Sequence, residues 1–352
     1  MSKIKVAIVG CGHVAWKRHI PSFLRLKNEV DICAVCDIKY NVAQNTAKEF
    51  GVHKAYSKLS DMLSKENPDV VDVCTPPKFH TSVAIESMEH GSHILLEKPM
   101  ASNLSDCDKM ISTVKKTKQK LSVVHNQLFY PPFLKAQELV YKGKIGELTG
   151  MAIQQLTNRA DYMQHRDHWI HNLSGGFLGE TGPHVVYMSL AFLKNVKNVK
   201  VSARKTLEYP WVLYDDYRIE LEGENMTSSI FISHSNNYHT SDITLLGREG
   251  MIKMDLQSML LTRYKREKLT PLTVGLSSTS TALQMIQGIL LNALRMTFNK
   301  PMLGHDIMIK KFVESIINDE PVPVTPEEGR ETIRVMEMIV KKLNSHTMSQ
   351  VV

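Results

Sequence analysis

The chain has 352 residues, 43% hydrophobic and 22% charged, with 18 glycines and 14 prolines; at about 150 residues per domain this predicts a globular protein of two domains and excludes a disordered or collagen-like chain. Lys and Arg number 43 against 36 Asp and Glu, a balance of +7. The densest basic run, Lys115 to Lys120, ends an apolar helical pattern and reads as a solvated helix terminus, so no nucleic-acid partner is expected, and the excess charge suits an anionic substrate only weakly.

From residue 4 to about 125, short apolar runs alternate with segments of helical period, the pattern of a parallel sheet flanked by helices. The runs are 4–9, 30–36, 70–74, 93–96 and 121–125. Their continuous Val, Ile, Leu and Cys character fits strands buried on both faces, with 42–50 and 83–90 among the crossover helices. From about Glu147 the texture changes: 147–158, 197–206, 214–222, 226–235 and 241–246 are strand-like, several of them alternating polar with apolar. This predicts a mainly antiparallel open sheet, with Gly247-Arg248-Glu249-Gly250 as a hairpin turn. The expected division is a doubly wound α/β domain over 1–125, a sheet-rich α+β domain over 126–305, and a helical tail over 306–352 that packs back toward the first domain.

Residues 282–298 are mostly apolar with one charge, but Gln284, Gln287, Asn292 and Arg295 argue against a membrane span. The segment reads as an amphipathic helix covering the sheet or meeting another subunit. A membrane-surface helix beside Lys300 is the alternative. Five cysteines and a charged start without an apolar leader lead us to expect a cytoplasmic protein. Cys33 and Cys36 form a C-x-x-C inside an apolar strand run, where side chains three apart face opposite ways, so buried structural thiols are expected.

The first strand runs into Gly10-Cys11-Gly12-His13-Val14-Ala15. Gly10 allows the tight turn, Gly12 admits a pyrophosphate to the backbone, and Ala15 permits close packing of helix on strand. The anion would then sit on the helix N-terminus. Asp37 closes the second strand, where a carboxylate accepts the adenosine ribose hydroxyls and repels a 2′-phosphate, so NAD is expected over NADP, with Lys39 softening the preference.

Ligands of open α/β sheets bind beyond the strands' carboxyl ends. Thr75-Pro76-Pro77 with His80 follows one strand, and Glu97-Lys98-Pro99 follows another. Further on, Ser174-Gly175-Gly176 through His184 leads into an apolar helical run. Pro183 suits a first helical turn, which predicts His184 at a helix N-terminus with a lowered pKa, as a general base requires. Glu180 could reach back to orient its ring. His165, His168 and His171 recur at a spacing that on a regular helix fits one metal poorly, so no metal is expected, and Arg159, Arg166 and Trp169 read as pocket-lining residues.

Taken together, these motifs resemble the Gfo/Idh/MocA oxidoreductases over nearly the whole chain. The matching segments are Gly10 to Ala15, Thr75-Pro-Pro with His80, Glu97-Lys98-Pro99, Gly143 to Glu147, Gly175 to His184, Gly247 to Gly250, and Glu327 to Arg330. The resemblance implies a Rossmann domain followed by a domain whose open sheet often makes an oligomer interface, here a homodimer or homotetramer. It implies a cis Lys98–Pro99 bond, and it places Lys98, Glu180 and His184 where the family's catalytic Lys, Asp and His act. Glu180 replaces the usual Asp, Tyr187 stands where many members carry a further Asp, and Leu128-Phe129-Tyr130-Pro131 lacks the arginine of the family's Arg-Phe-x-Pro pattern.

The expected cofactor contacts are therefore Gly10, Cys11, Gly12, His13, Val14 and Ala15 of the loop, Asp37 and Ile38, Thr75, Pro76, Pro77 and His80, and Glu97, Lys98 and Gln127. Lys98, Tyr130, Arg159, Arg166, Trp169 and His184 are expected to meet the substrate. The expected activity is hydride transfer between NAD and a hydroxyl-bearing carbon of a sugar, polyol or nucleotide-linked sugar. Two other readings stay open: an NAD-binding sensor or scaffold without turnover, and a reductase of an imine or conjugated double bond on the same fold.

Overall fold

The computed structural model describes residues 3–158, 160–298 and 303–349. The chain divides into two compact units, one of residues 1–129 with 302–334 and the other of 130–301 with 335–352.

The first unit opens with β1 (Ile4–Val9), a π-type turn over Ala15–His19, α1 (Ile20–Arg25), β2 (Val30–Cys36), α2 (Tyr40–Phe50), β3 (Ala55–Tyr56) and α3 (Leu59–Glu66). It continues with β4 (Val70–Val73), α4 (His80–Glu89), β5 (His93–Leu96), α5 (Leu104–Thr117) and β6 (Leu121–Val123). The sheet order is β3-β2-β1-β4-β5-β6, with every pairing parallel. Val6, Ala7, Ile8, Val70, Val71, Ile94, Leu95 and Leu96 are fully buried, as continuous apolar strands covered on both faces must be. The order reverses between β1 and β4, which puts the ligand crevice of such a sheet beyond their carboxyl ends.

The second unit contains α6 (Pro131–Tyr141), β7 (Leu148–Asn158), α7 (Ala160–Met163), α8 (Leu178–Leu190), β8 (Asn198–Arg204), β9 (Asp216–Glu222) and β10 (Thr227–Ser233). After these come β11 (Ser235–Gly247), β12 (Gly250–Asp255), β13 (Leu260–Tyr264) and α9 (Pro271–Phe298). Its sheet runs β13-β12-β11-β7-β10-β9-β8. All neighbours are antiparallel except β7 and β10, which are parallel. Burial alternates along β8 and β7, and Ser189 on α8 shares a 2.9 Å hydrogen bond with Ser228 on β10, so α8 lies on one face of the sheet. Gly247 pairs with Gly250 across the expected hairpin, and a Cβ on Gly247 would strike the Ile145 carbonyl.

The tail forms α10 (Gly304–Ile317) and α11 (Pro326–Ser349). α10 and the start of α11 complete the first unit. Ser122 donates to the Val324 carbonyl at 2.8 Å, Lys120 Nζ donates to the carbonyls of Ser315 and Glu320, and Gly329 lies where a Cβ would come within 2.7 Å of Val123.

Three sequence expectations change. The helix after the glycine loop is not one regular element, because the π-type turn precedes α1 and moves Pro21 into the tolerated first turn. β3 and β13, of two and five residues, escape the periodicity argument, whereas β12 is the second strand of the expected hairpin. Residues 282–298 are the second half of a longer helix, α9, whose facing is the reverse of that expected for a sheet cover.

Candidate active site

Gly10 has φ +92, and a Cβ there would sit 2.7 Å from the backbone of Cys74 and Thr75. Only glycine lets β1 turn this close to the end of β4. Gly12 differs: a Cβ would meet nothing within 4 Å, so the backbone is left open on the side from which a phosphate would approach. The Asp37 carboxylate accepts from the backbone N–H of Cys11 at 3.0 Å and of Lys39 at 2.9 Å. It therefore braces the loop while ending β2. Ala15 is fully buried, Cys11 is 3% exposed, Ile38 is 86% exposed, and His13 is exposed with Val14 half-buried. Across the crevice, Thr75 Oγ1 is buried without a hydrogen-bond partner, Pro76 is exposed and Pro77 half-buried. An open glycine backbone, a carboxylate at the end of β2 and an unsatisfied hydroxyl at the end of β4 fit a dinucleotide.

Lys98 follows β5 and is half-buried; its bond to Pro99 is cis, as the resemblance implied. Its backbone N–H donates to Glu97 Oε2 at 3.0 Å. The other oxygen of Glu97 faces inward, accepting from His19 Nε2 at 2.8 Å, with His305 Nε2 at 3.7 Å. His19 Nδ1 in turn lies 2.9 Å from both oxygens of Asp72. Glu97 was expected at the cofactor; the structure gives its carboxylate an interior task, at 7% exposure. Burial disfavours the charged imidazole, but Asp72 outweighs it and raises the His19 pKa well above the ordinary value. Burial likewise opposes ionisation of Glu97, yet the hydrogen bond from His19 and the nearby His305 imidazole hold it well below the usual carboxylate range. A buried imidazolium between two carboxylates thus joins the helix after the glycine loop to the strand that presents Lys98.

His80 is also interior. Its ring nitrogens lie 2.9 Å from the Pro99 carbonyl and 2.8 Å from the Thr75 carbonyl, so it ties together the two loops it was expected to accompany to the cofactor. Two acceptors favour a doubly protonated ring, whereas burial lowers the pKa. Among the described residues no carboxylate is hydrogen-bonded to the ring, and the desolvation cost of a charge is the largest influence on it. Burial also pushes His125, just past β6, down to about 3. Gln127 stands half-buried in the turn that follows.

In the second unit, α8 begins at Leu178 and Pro183 lies inside it. His184 is therefore in the helix's second turn and not at its N-terminus, which removes the dipole argument for a depressed pKa. The reason is local: Gly175 and Gly176 take φ +79 and +58, reverse the chain, and start the helix before Pro183 is reached. His184 Nδ1 is hydrogen-bonded to the Tyr187 hydroxyl at 2.7 Å, a partner legible in the i, i+3 spacing but not anticipated. Glu180, in the first turn of α8, is half-buried. Beneath the helix, buried His234 bridges Thr157 at 3.0 Å and Thr181 at 3.3 Å.

Tyr130 caps α6 and is half-buried. Arg159 lies outside the described residues. Arg166 is exposed and Trp169 is 47% exposed, on a loop anchored by the buried cluster of Met163, Ile170, Phe177 and Val212 and by the Trp211 indole donating to the Met163 carbonyl at 2.7 Å. His165, His168 and His171 occupy a turn and a single 3₁₀ turn. Among the described residues, the side chains close enough to share a metal are instead His19 with Asp72 and Cys74, and His19 with Glu97 and His305, and hydrogen bonds already account for both groups. The cysteines are free; burial pushes Cys11 and Cys36 up to about 12 and Cys33 to about 11, so these three are not poised as thiolates.

Residues 4–125 match the model of the Gfo/Idh/MocA oxidoreductase family's NAD-binding Rossmann fold, and residues 137–351 match that of its C-terminal alpha/beta domain. Among curated relatives, the D-glucoside 3-dehydrogenase of Escherichia coli is 33% identical over 147 residues, 42% of each chain, so the match spans less than half of that protein's length. Among solved structures, the WlbA dehydrogenase of Bordetella pertussis, in complex with NADH and UDP-GlcNAcA, superposes with TM-score 0.78 at 19% identity, covering 97% of this chain and 96% of that one. A levoglucosan dehydrogenase complex with NADH and levoglucosan gives 0.81 at 17% identity, covering 98% of each. With both of its parts matched and the glycine loop, Asp37 and Lys98 standing at the strand ends where such a sheet takes its ligand, this chain belongs to the Gfo/Idh/MocA family of NAD-binding oxidoreductases.

Proposed function

We propose that the protein transfers a hydride between NAD and a hydroxyl-bearing carbon of a sugar, polyol or nucleotide-linked sugar. The observation that carries this reading is Lys98, whose backbone is pinned by the Glu97 carboxylate at the end of β5, on the ligand-binding edge of the sheet. Further support comes from the sugars and sugar derivatives named for the similar proteins above.

Gly10, Gly12 and Asp37 would hold the dinucleotide, which when bound supplies the two-electron acceptor or donor. In the oxidative direction the Lys98 ammonium stabilises the alkoxide that develops as the hydride leaves carbon, and His184 takes the hydroxyl proton. The Tyr187 hydroxyl on Nδ1 fixes the ring, and we assign proton transfer to Nε2. Glu180, one turn earlier on α8, is assigned to holding His184 in register. Tyr130, Arg166 and Trp169, with Arg159, are assigned to the substrate. We also assign a homo-oligomeric contact to the open face of the seven-stranded sheet, where the Arg218 guanidinium lies 4.4 Å from the centre of the Phe231 ring.

Replacing Lys98 by Ala should lower turnover by about a hundredfold or more while NADH affinity, followed by nicotinamide fluorescence, stays within about twofold. The assay presents NAD with a panel of sugars, inositols and sugar nucleotides and follows absorbance of the reduced ring. Unchanged turnover in the variant would overturn the assignment, and product analysis separates alcohol oxidation from reduction of an imine or a double bond.

A further inference from the structure

α9 is amphipathic in the reverse of the usual sense. Its polar face is turned to its own sheet: Gln284 exchanges hydrogen bonds with the Arg263 backbone at 2.9 and 3.1 Å, Asn292 donates to the carbonyls of Ser258 and Met259, and the Arg266 guanidinium donates to Ser277. Gly288 is the close-approach point, where a Cβ would stand 2.7 Å from Leu260. At 100° per residue these positions share one side of the helix. The opposite side carries Leu272, Leu276, Leu283, Ile286, Leu290 and Leu294, between 54% and 71% exposed.

We propose that this outward face of α9 is covered by α9 of a second copy of this chain. The spacing is the first argument. Leu276, Leu283 and Leu290 recur every seven residues, with Leu272 four before the first, Ile286 three after the second and Thr279 in the matching place after Leu276, the seam of helices that pack side by side. Area is the second. The six outward residues of α9 expose on the order of 700 Å², above the roughly 300–600 Å² of a monomer's largest patch and near the ~800 Å² per partner of a standard interface.

Charge is the third argument. From Pro271 to Leu294 the helix carries no charged residue, so two copies of the seam meet without repulsion. A helix that lies on lipid sets basic side chains along the borders of its apolar face. Here those borders are neutral, and the exposed Lys265, Arg266 and Lys268 precede the helix.

The test uses the full chain at about 10 μM, with particle mass measured by sedimentation velocity. Replacing Leu283 and Leu290 together by Gln alters only side chains that are 61% and 59% exposed, so folding and NADH binding should be preserved while the particle mass falls by half. A Gln287→Cys variant should cross-link to a dimer on mild oxidation, and the cross-link should vanish when the two leucines are also replaced. A monomeric wild type, or an unchanged mass in the double variant, overturns the proposal. So does a monomeric wild type that floats with vesicles of phosphatidylserine and phosphatidylcholine, which would assign the face to lipid.

Discussion

The Asp37 carboxylate accepts from the backbone of Cys11 and Lys39, so replacing it does more than remove a contact with ribose. Asp37→Ala should weaken NAD binding by about 10- to 100-fold, the value of a hydrogen bond to a charged group, and should weaken NADP binding less, because the charge opposing a 2′-phosphate is gone. Parallel fluorescence titrations with the two reduced cofactors measure the ratio; a ratio equal to that of the wild type would contradict the role given to the carboxylate. Asp37 was legible because a strand end, a glycine loop and a fixed interval converge on it. His19, Asp72 and His305 were not. Asp72 hides in an apolar strand run and His19 in a helical one, and what joins them to Glu97 is a pairing across three elements and the tail, which no local pattern encodes.

At the level of elements, the glycine loop separates two tasks. Gly10→Ala forces a Cβ against the Cys74 backbone at positive φ and should cost about 2–3 kcal/mol of stability. Gly12→Ala adds a Cβ into open space, so stability measured by urea denaturation should move by less than about 0.5 kcal/mol while NADH binding is lost. The reverse pattern would show that the open side of the loop is not where the phosphates lie. The five strands of the first unit other than β3 were legible from their composition. The start of α8 was misplaced because Pro183 is a strong helix-start signal, but the two glycines at positive φ turn the chain earlier and leave Pro183 inside the helix, where it costs one i→i−4 hydrogen bond. In α9 the apolar residues marked a helix correctly, whereas their direction depended on what β13 and the turn before it offer the polar face, namely backbone groups that Gln284 and Asn292 satisfy.

Across the whole molecule, pH dependence should centre on the buried charge chain. Glu97 is held well below its ordinary range, so its contribution is complete above about pH 4.3 and is lost as pH falls through the depressed value. His19 is held well above its own, so its contribution is complete below about pH 6.5 and is lost as pH rises through the raised value. Urea denaturation of the wild type should therefore show greatest stability between these limits. His19→Gln should be destabilised by about 3–5 kcal/mol, because a buried carboxylate pair loses its cation, and should lack the alkaline decline. An alkaline decline that persists in His19→Gln would place its origin elsewhere.

The first unit is completed by residues that come after the sheet of the second. Ser122 and Lys120, on and beside the edge strand β6, meet the segment from Ser315 to Val324, and Val123 receives Gly329. During synthesis the amino-terminal sheet must therefore wait, its last strand uncovered, until some two hundred further residues have left the ribosome, while the intervening sheet has all of its strands in hand much sooner. Domains ordinarily mature in the order in which they are made; here the nucleotide-binding half is begun first but closed only after the other half's sheet has been made, and the end of α11 then returns to that other half.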